Sequence, residues 1–219
     1  MSTRPRRVIV NFRKRERKMK YHTNQCITWM LLSVAGLIQL TSAVANHVNG
    51  AENSDSTIQE QVGDFVLRIP GSWKKEQPSS RMRALQFSIA ASDGDSGPAE
   101  LIVFNFKGGG TVDQNIKRWI DQFDAQGRTQ QLFEGKTANG NYWLADISGT
   151  YNKSVGPPIL RKTQSEPGSR VIAMIVTGKQ GVLYLKLAGP QKTVAAQAEK
   201  MRAIVGADLK AEKPYAFGS

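Results

Sequence analysis

Cysteine and histidine are almost missing from this 219-residue chain, and where the few copies lie makes the shortage sharper. The single cysteine is Cys26, so no disulfide can form within the chain. The two histidines are His22 and His47, which leaves everything beyond residue 47 without an imidazole or a thiol. Serine–histidine–aspartate and cysteine–histidine nucleophile systems are thereby excluded from that body, as are zinc sites built on His or Cys. Carboxylates remain, and Asp93, Glu100, Asp121, Asp146 and Glu166 are available for acid–base work, but no spacing singles out a pair. No catalytic residue, metal ligand or cofactor is expected.

Acidic residues are the next shortage, with 18 Asp and Glu against 30 Lys and Arg for a net charge of +12. Most of that imbalance sits in one segment. From Arg4 to Lys20 there are nine basic residues and only Glu16 to oppose them, and no charge follows until Glu52. Cys26 to Leu40 is an apolar run of signal-peptide length, and Ala43-Val44-Ala45 supplies the small residues of a cleavage site. Cleavage is expected between Ala45 and Asn46, with an uncleaved membrane anchor as the alternative. Met19 would open a signal of more ordinary proportions, in which case the basic cluster before it is not translated. Setting aside the first 45 residues with their eight net charges leaves 174 residues carrying +4, which implies no nucleic-acid partner. That length suits one domain able to bury its own core.

Residues 46–62 are polar and small and are expected to be a flexible leader. The globular body is placed at 63–209 and a frayed tail at 210–219. Ala99 to Phe106 predicts a central strand, because Leu101 and Val103 alternate with Ile102, Phe104 and Phe106 and both faces are apolar. After Gly108-Gly109-Gly110, Thr111 and Gln114 have capping-box spacing. Val112, Ile116, Trp119, Ile120 and Phe123 form the apolar stripe of the helix that follows, with Asp113, Lys117 and Asp121 on the opposite side and an end near Gly127. Thr129 to Lys136 and Asn141 to Tyr151 read as a hairpin about Asn139-Gly140. Val171 to Thr177 and Val182 to Leu187 are two further strands, and a second helix starts at Gly189-Pro190.

Two stretches are candidates for a binding surface. Lys74, Lys75, Arg81 and Arg83 flank Trp73, which either anchors the core or offers a platform for a ligand. Lys153 to Gly168 reads as a long polar connection with Arg161 and Lys162 near its middle, and loops of that length are mobile or functional. Asp93 and Asp95 have the opening spacing of a calcium loop but lack its later ligands. The glycine turn at Lys107 to Thr111 presents backbone amides at a helix start without the residue order of a phosphate-binding loop.

The order of elements predicts an α+β domain, an antiparallel sheet with helices packed on it. Its opening, Phe65-Val66-Leu67-Arg68-Ile69-Pro70-Gly71-Ser72-Trp73, resembles the start of PsbP-like domains and of periplasmic DcrB-type proteins. That resemblance implies an α/β/α sandwich and a largely non-enzymatic role as an extrinsic assembly or stabilising factor. The histidines that could serve metal binding in some members have no counterpart in this body. The expectation is therefore an exported, non-catalytic binding domain whose partner is a protein or another envelope component. The rival is an envelope enzyme or small-ligand protein using Asp or Glu in a pocket.

Overall fold

Strand-period and helix-period stretches alternate along the chain, and the structure, a computed structural model, resolves them into one large sheet with helices on both faces. It describes residues 56–156, Leu160 and residues 162–218. The signal segment, its cleavage site at Ala43, Ala45 and Asn46, and Arg161 lie outside the described residues. The strands are β1 (Thr57–Val62), β2 (Phe65–Pro70), β3 (Lys74–Glu76), β4 (Leu85–Ile89), β5 (Ala99–Phe106), β6 (Thr129–Lys136), β7 (Asn141–Ser154), β8 (Thr163–Thr177), β9 (Val182–Pro190) and β10 (Lys213–Pro214). The helices are α1 (Val112–Ile120), α2 (Gln191–Ala195) and α3 (Ala198–Ile204). β1 and β2 form a separate hairpin, and the other eight strands run antiparallel in the order β10-β6-β7-β8-β9-β5-β4-β3. This is the α+β class that the sequence predicts.

The two faces of the sheet carry two cores. On one face Leu101, Val103, Leu144, Met174, Leu185 and Leu187 meet Phe65, Leu67 and Ile69 of the β1–β2 hairpin and Val194, Met201 and Ile204 of α2 and α3. On the other face Ile116, Trp119, Ile120 and Phe123 cover Ala145, Ile147, Val171, Ala173 and Ile175. Thr111 and Gln114 start α1 with the expected reciprocal pair of bonds, at 3.2 and 3.0 Å. The helix stops at Ile120, before Gly127, because Asp124 N–H and Phe123 turn to join β7, where Phe123 bridges to Tyr151. α1 therefore shelters β7, β8 and part of β9. Ile102 and Phe104 are only half-buried and Phe106 is exposed, so this side of β5 is not sealed as a central strand would be.

Four expectations need correction. Thr57–Val62 is part of the body and not of a leader: it is a full antiparallel partner of β2, held by backbone bonds although only Val62 is buried. The tail is docked, since Glu212 accepts from Arg202 at 2.9 Å and from Tyr142 Oη at 2.6 Å while Tyr215 N–H donates to Leu132. The long connection at Lys153 to Gly168 is largely hairpin, because Tyr151 to Ser154 pair with Thr163 to Glu166 beyond an irregularity at Gly149. The expected single C-terminal helix is broken into α2 and α3 at Ala196 and Gln197.

Candidate functional site

The surface proposed around Trp73 does not assemble. Trp73 is only 3% exposed and its indole N–H donates to Gln197 Oε1 at 3.2 Å, so the ring belongs to the core. Burial of a large apolar side chain is worth at least about 2 kcal/mol, and the neighbouring β2 and α3 surfaces supply that burial. Its basic neighbours are already paired: Lys74 with Glu76 at 2.9 Å, Lys75 with Glu60 at 2.6 Å, and Arg83 with Glu100 at 3.1 Å. Arg81 is exposed on the β3–β4 connection, and Lys162 is exposed in the turn between β7 and β8. Asp95, half of the suspected calcium pair, instead accepts from Thr193 N–H at 2.6 Å and Thr193 Oγ1 at 2.7 Å, capping α2 from the β4–β5 loop.

A concavity forms where α1 leaves the sheet uncovered. Its volume is about 780 Å³, in the range of small-molecule sites. The floor is the outward side of β5 and β9, with Ile102, Phe104, Lys186 and Ala188. The distal half of the β7–β8 hairpin, from Lys153 and Gln164 to Ser169, makes one wall, and the β4–β5 loop makes another. The stretch singled out in the sequence as a long connection thus borders a site, through strand residues of β7 and β8.

Lys186 lies on the floor of this concavity. It belongs to β9, opposite Ile102 on β5 and Ala173 on β8, and so has apolar cross-strand neighbours on both sides. Its ammonium donates to Gln122 Oε1 and to Tyr151 Oη at 2.8 Å, and lies 4.8 Å from the centre of the Tyr151 ring. Both acceptors are neutral. Burial, followed by the positive charge of Arg118 and against the attraction of Glu100, pushes the Lys186 pKa down to about 8. Burial and the charges of Glu166 and Glu100 push the Tyr151 phenol up to about 12, so it stays protonated at neutral pH.

The carboxylates around the same concavity are all engaged. Glu100 accepts from Arg83 and, at 2.7 Å, from Gln86; Glu166 pairs with Lys153 at 3.5 Å; Asp95 is held by Thr193. Asp146, which interrupts a well-patterned strand, faces the opposite side of the sheet and takes both arms of the Arg170 fork at 2.7 and 2.6 Å. No two of these carboxylates form a free acid–base pair. The signal that could have pointed to Lys186 in the sequence was a lone lysine inside Val182 to Leu187, a strand otherwise without charge.

No family model and no curated protein sequence matches this chain. Among solved structures it is similar to the solution structure of cyanobacterial PsbP from Synechocystis sp. PCC 6803, at 13% identity and a TM-score of 0.40, covering 76% of this chain and 96% of that one. It is also similar to LpqN of Mycobacterium tuberculosis, a protein involved in cell envelope biogenesis, at 13% identity and a TM-score of 0.36, over 74% of this chain and 91% of that one. PA94, a Pseudomonas aeruginosa protein of unknown function, is similar at 12% identity and a TM-score of 0.38, over 67% and 92%. The PsbP-like resemblance expected from the opening strand is thus met as a weak likeness of fold. What the site does has to be argued from this chain's own residues.

Proposed function

We propose that this chain is a non-catalytic, exported binding domain of the cell envelope, and that the concavity over β5 and β9 receives an envelope component carrying an anionic group. The observation behind this reading is Lys186: an ammonium on the floor of the site, fixed by the neutral oxygens of Gln122 and Tyr151, with no carboxylate in salt-bridge distance among the described residues. Partial burial of an unpaired cation is costly, and an incoming anion would supply the missing counter-charge. The engaged state of Glu100, Glu166 and Asp95 speaks for binding over carboxylate catalysis. Export rests on the basic and apolar leader with its Ala43 and Ala45 cleavage residues.

The test is native mass spectrometry of the full chain purified from its own cells. A mature N-terminus at Asn46 and a non-covalent adduct that is lost in Lys186→Met are expected. A retained leader in a cytoplasmic fraction would overturn the export reading. An adduct undiminished in Lys186→Met would overturn the assignment of the site.

A further inference from the structure

A smaller hollow opens beside Lys186, between α1 and the outer part of β5 and β9, with a volume of about 100 Å³. It shares Phe104 and Lys186 with the larger concavity, so the two are adjacent. Its sides are aromatic. The rings of Phe104 and Phe106 are stacked with centres 5.8 Å apart, and Phe106 and Tyr184 are tilted at 5.9 Å. Phe106 is 37% exposed, so the ring cluster is open on one side. Trp119 of α1 lies on the opposite wall.

A second cation faces the same hollow. Arg118 donates to Asn115 Oδ1 at 2.6 Å, and the buried Asn115 is itself fixed by donating to Gly109 O and Thr111 O at 2.8 Å each. Arg118 is near enough to lower the proton affinity of Lys186 and to oppose the upward push of burial on the Tyr184 phenol. Like Lys186, it is oriented by a neutral amide oxygen and has no carboxylate in salt-bridge distance among the described residues. Two cations of one sign, each aimed without being neutralised, border a hollow walled by three aromatic rings and an indole.

This deepens the reading above and rests on it. We infer that the ligand is an aromatic acid, with its ring against Phe104, Phe106 and Tyr184 and its carboxylate between Arg118 and Lys186. An apolar cavity of about 150 Å³ encloses a benzene ring, so the open hollow accepts one ring edge-first while the rest of the ligand extends into the larger concavity. Ring–ring contacts of this kind favour offset or tilted placement, and a guanidinium beside an ammonium favours a carboxylate with two oxygens to share.

Isothermal titration of the full chain at low salt with 1-naphthoate, 1-naphthylmethanol and hexanoate tests the assignment. The naphthoate is expected to bind at least about tenfold more tightly than either comparator, the equivalent of losing one charge-assisted hydrogen bond or the ring contact. Arg118→Gln alters an exposed residue and should leave thermal unfolding unchanged while weakening naphthoate about tenfold; Phe106→Ala should weaken it about as much, with a small loss of stability from its contacts to Phe104 and Tyr184. Lys186→Met should weaken it at least as much. Equal binding of the neutral alcohol, or an unchanged affinity in Arg118→Gln, would overturn the anion assignment. Equal binding of hexanoate, still dependent on Lys186, would overturn the aromatic part and leave the binding-domain reading standing. Heat from none of the three probes would overturn the aromatic-acid assignment, while an adduct in native mass spectrometry would still report separately on the binding domain.

Discussion

Replacing Lys186 with methionine isolates the cost of holding an ammonium on the floor of the concavity. Each tenfold change in proton affinity corresponds to about 1.36 kcal/mol, so a pKa carried from 10.5 to about 8 sets about 3 kcal/mol against the folded state at neutral pH. The sign follows from proton counting. Below pH 8 the lysine is charged in both states and the cost is fully present. Between pH 8 and 10.5 the unfolded chain still holds the proton that the folded chain has released, so stability rises with pH. The concavity is open to water, and screening reduces the measurable increment to about 1–2 kcal/mol. Urea unfolding of the wild type and of Lys186→Met at pH 7, 8, 9 and 10 reads it directly, because subtraction cancels the titrations the two proteins share. The difference should move in favour of the wild type by about 1–2 kcal/mol from pH 7 to 10. A difference constant to within about 0.3 kcal/mol, the ordinary scatter of such comparisons, would refute the account of a desolvated, uncompensated cation.

Three further substitutions probe the frame around the site. Gly135→Ala would place a Cβ 2.6 Å from the ring of the fully buried Tyr142, and overpacking of that kind should cost about 1–3 kcal/mol in chemical unfolding; an unchanged midpoint would mean the ring is free to yield. Glu212→Gln weakens the hold of Arg202 and Tyr142 on the tail, so a loss of about 1–3 kcal/mol is expected, together with faster hydrogen exchange at the Tyr215 amide. Exchange at wild-type rate would show that the tail is held by something else. Thr111→Ala removes one arm of the capping box and should lower stability by about 1 kcal/mol, with α1 amides near Gln114 exchanging first.

What could be read from the sequence was whatever burial writes into residue period. β5, β7 and β9 alternate cleanly because each has at least one face in a core, and α1 declares both its stripe and its cap. β1 was missed because its pairing is made of backbone bonds, with Ile58 47% exposed and polar side chains at most other positions. The docked tail was missed for a related reason: it is attached by a two-residue backbone pairing with β6 and by side chains, Glu212 to Arg202 and Tyr142 and Tyr215 to Asp113, that no residue period records. Trp73 illustrates the opposite error, in which basic neighbours suggested a surface although each of Lys74, Lys75 and Arg83 had a local acid to pair with. The candidate site itself was the least legible part. Gln122, Tyr151 and Lys186 come from a helix end and two strands that are not neighbours in the sheet, and no local spacing in the chain brings them together.

The strands β7 and β8, at 14 and 15 residues, are the longest among the described residues, and their outer halves run past Gly149 as an arm that is tied to the segment after α1 at Thr150, Tyr151 and Asn152 and pairs only within itself beyond that point. That arm carries one wall of the concavity, through Lys153 and Ser154 on β7 and Gln164 to Ser169 on β8, while the two cores are built from residues on the other side of Gly149 and from Tyr151. Its outer length is thus a quantity that selection can change by two residues at a time, preserving strand alternation, without touching what keeps the domain folded. Depth and selectivity of the site are free to diverge among relatives whose cores stay the same.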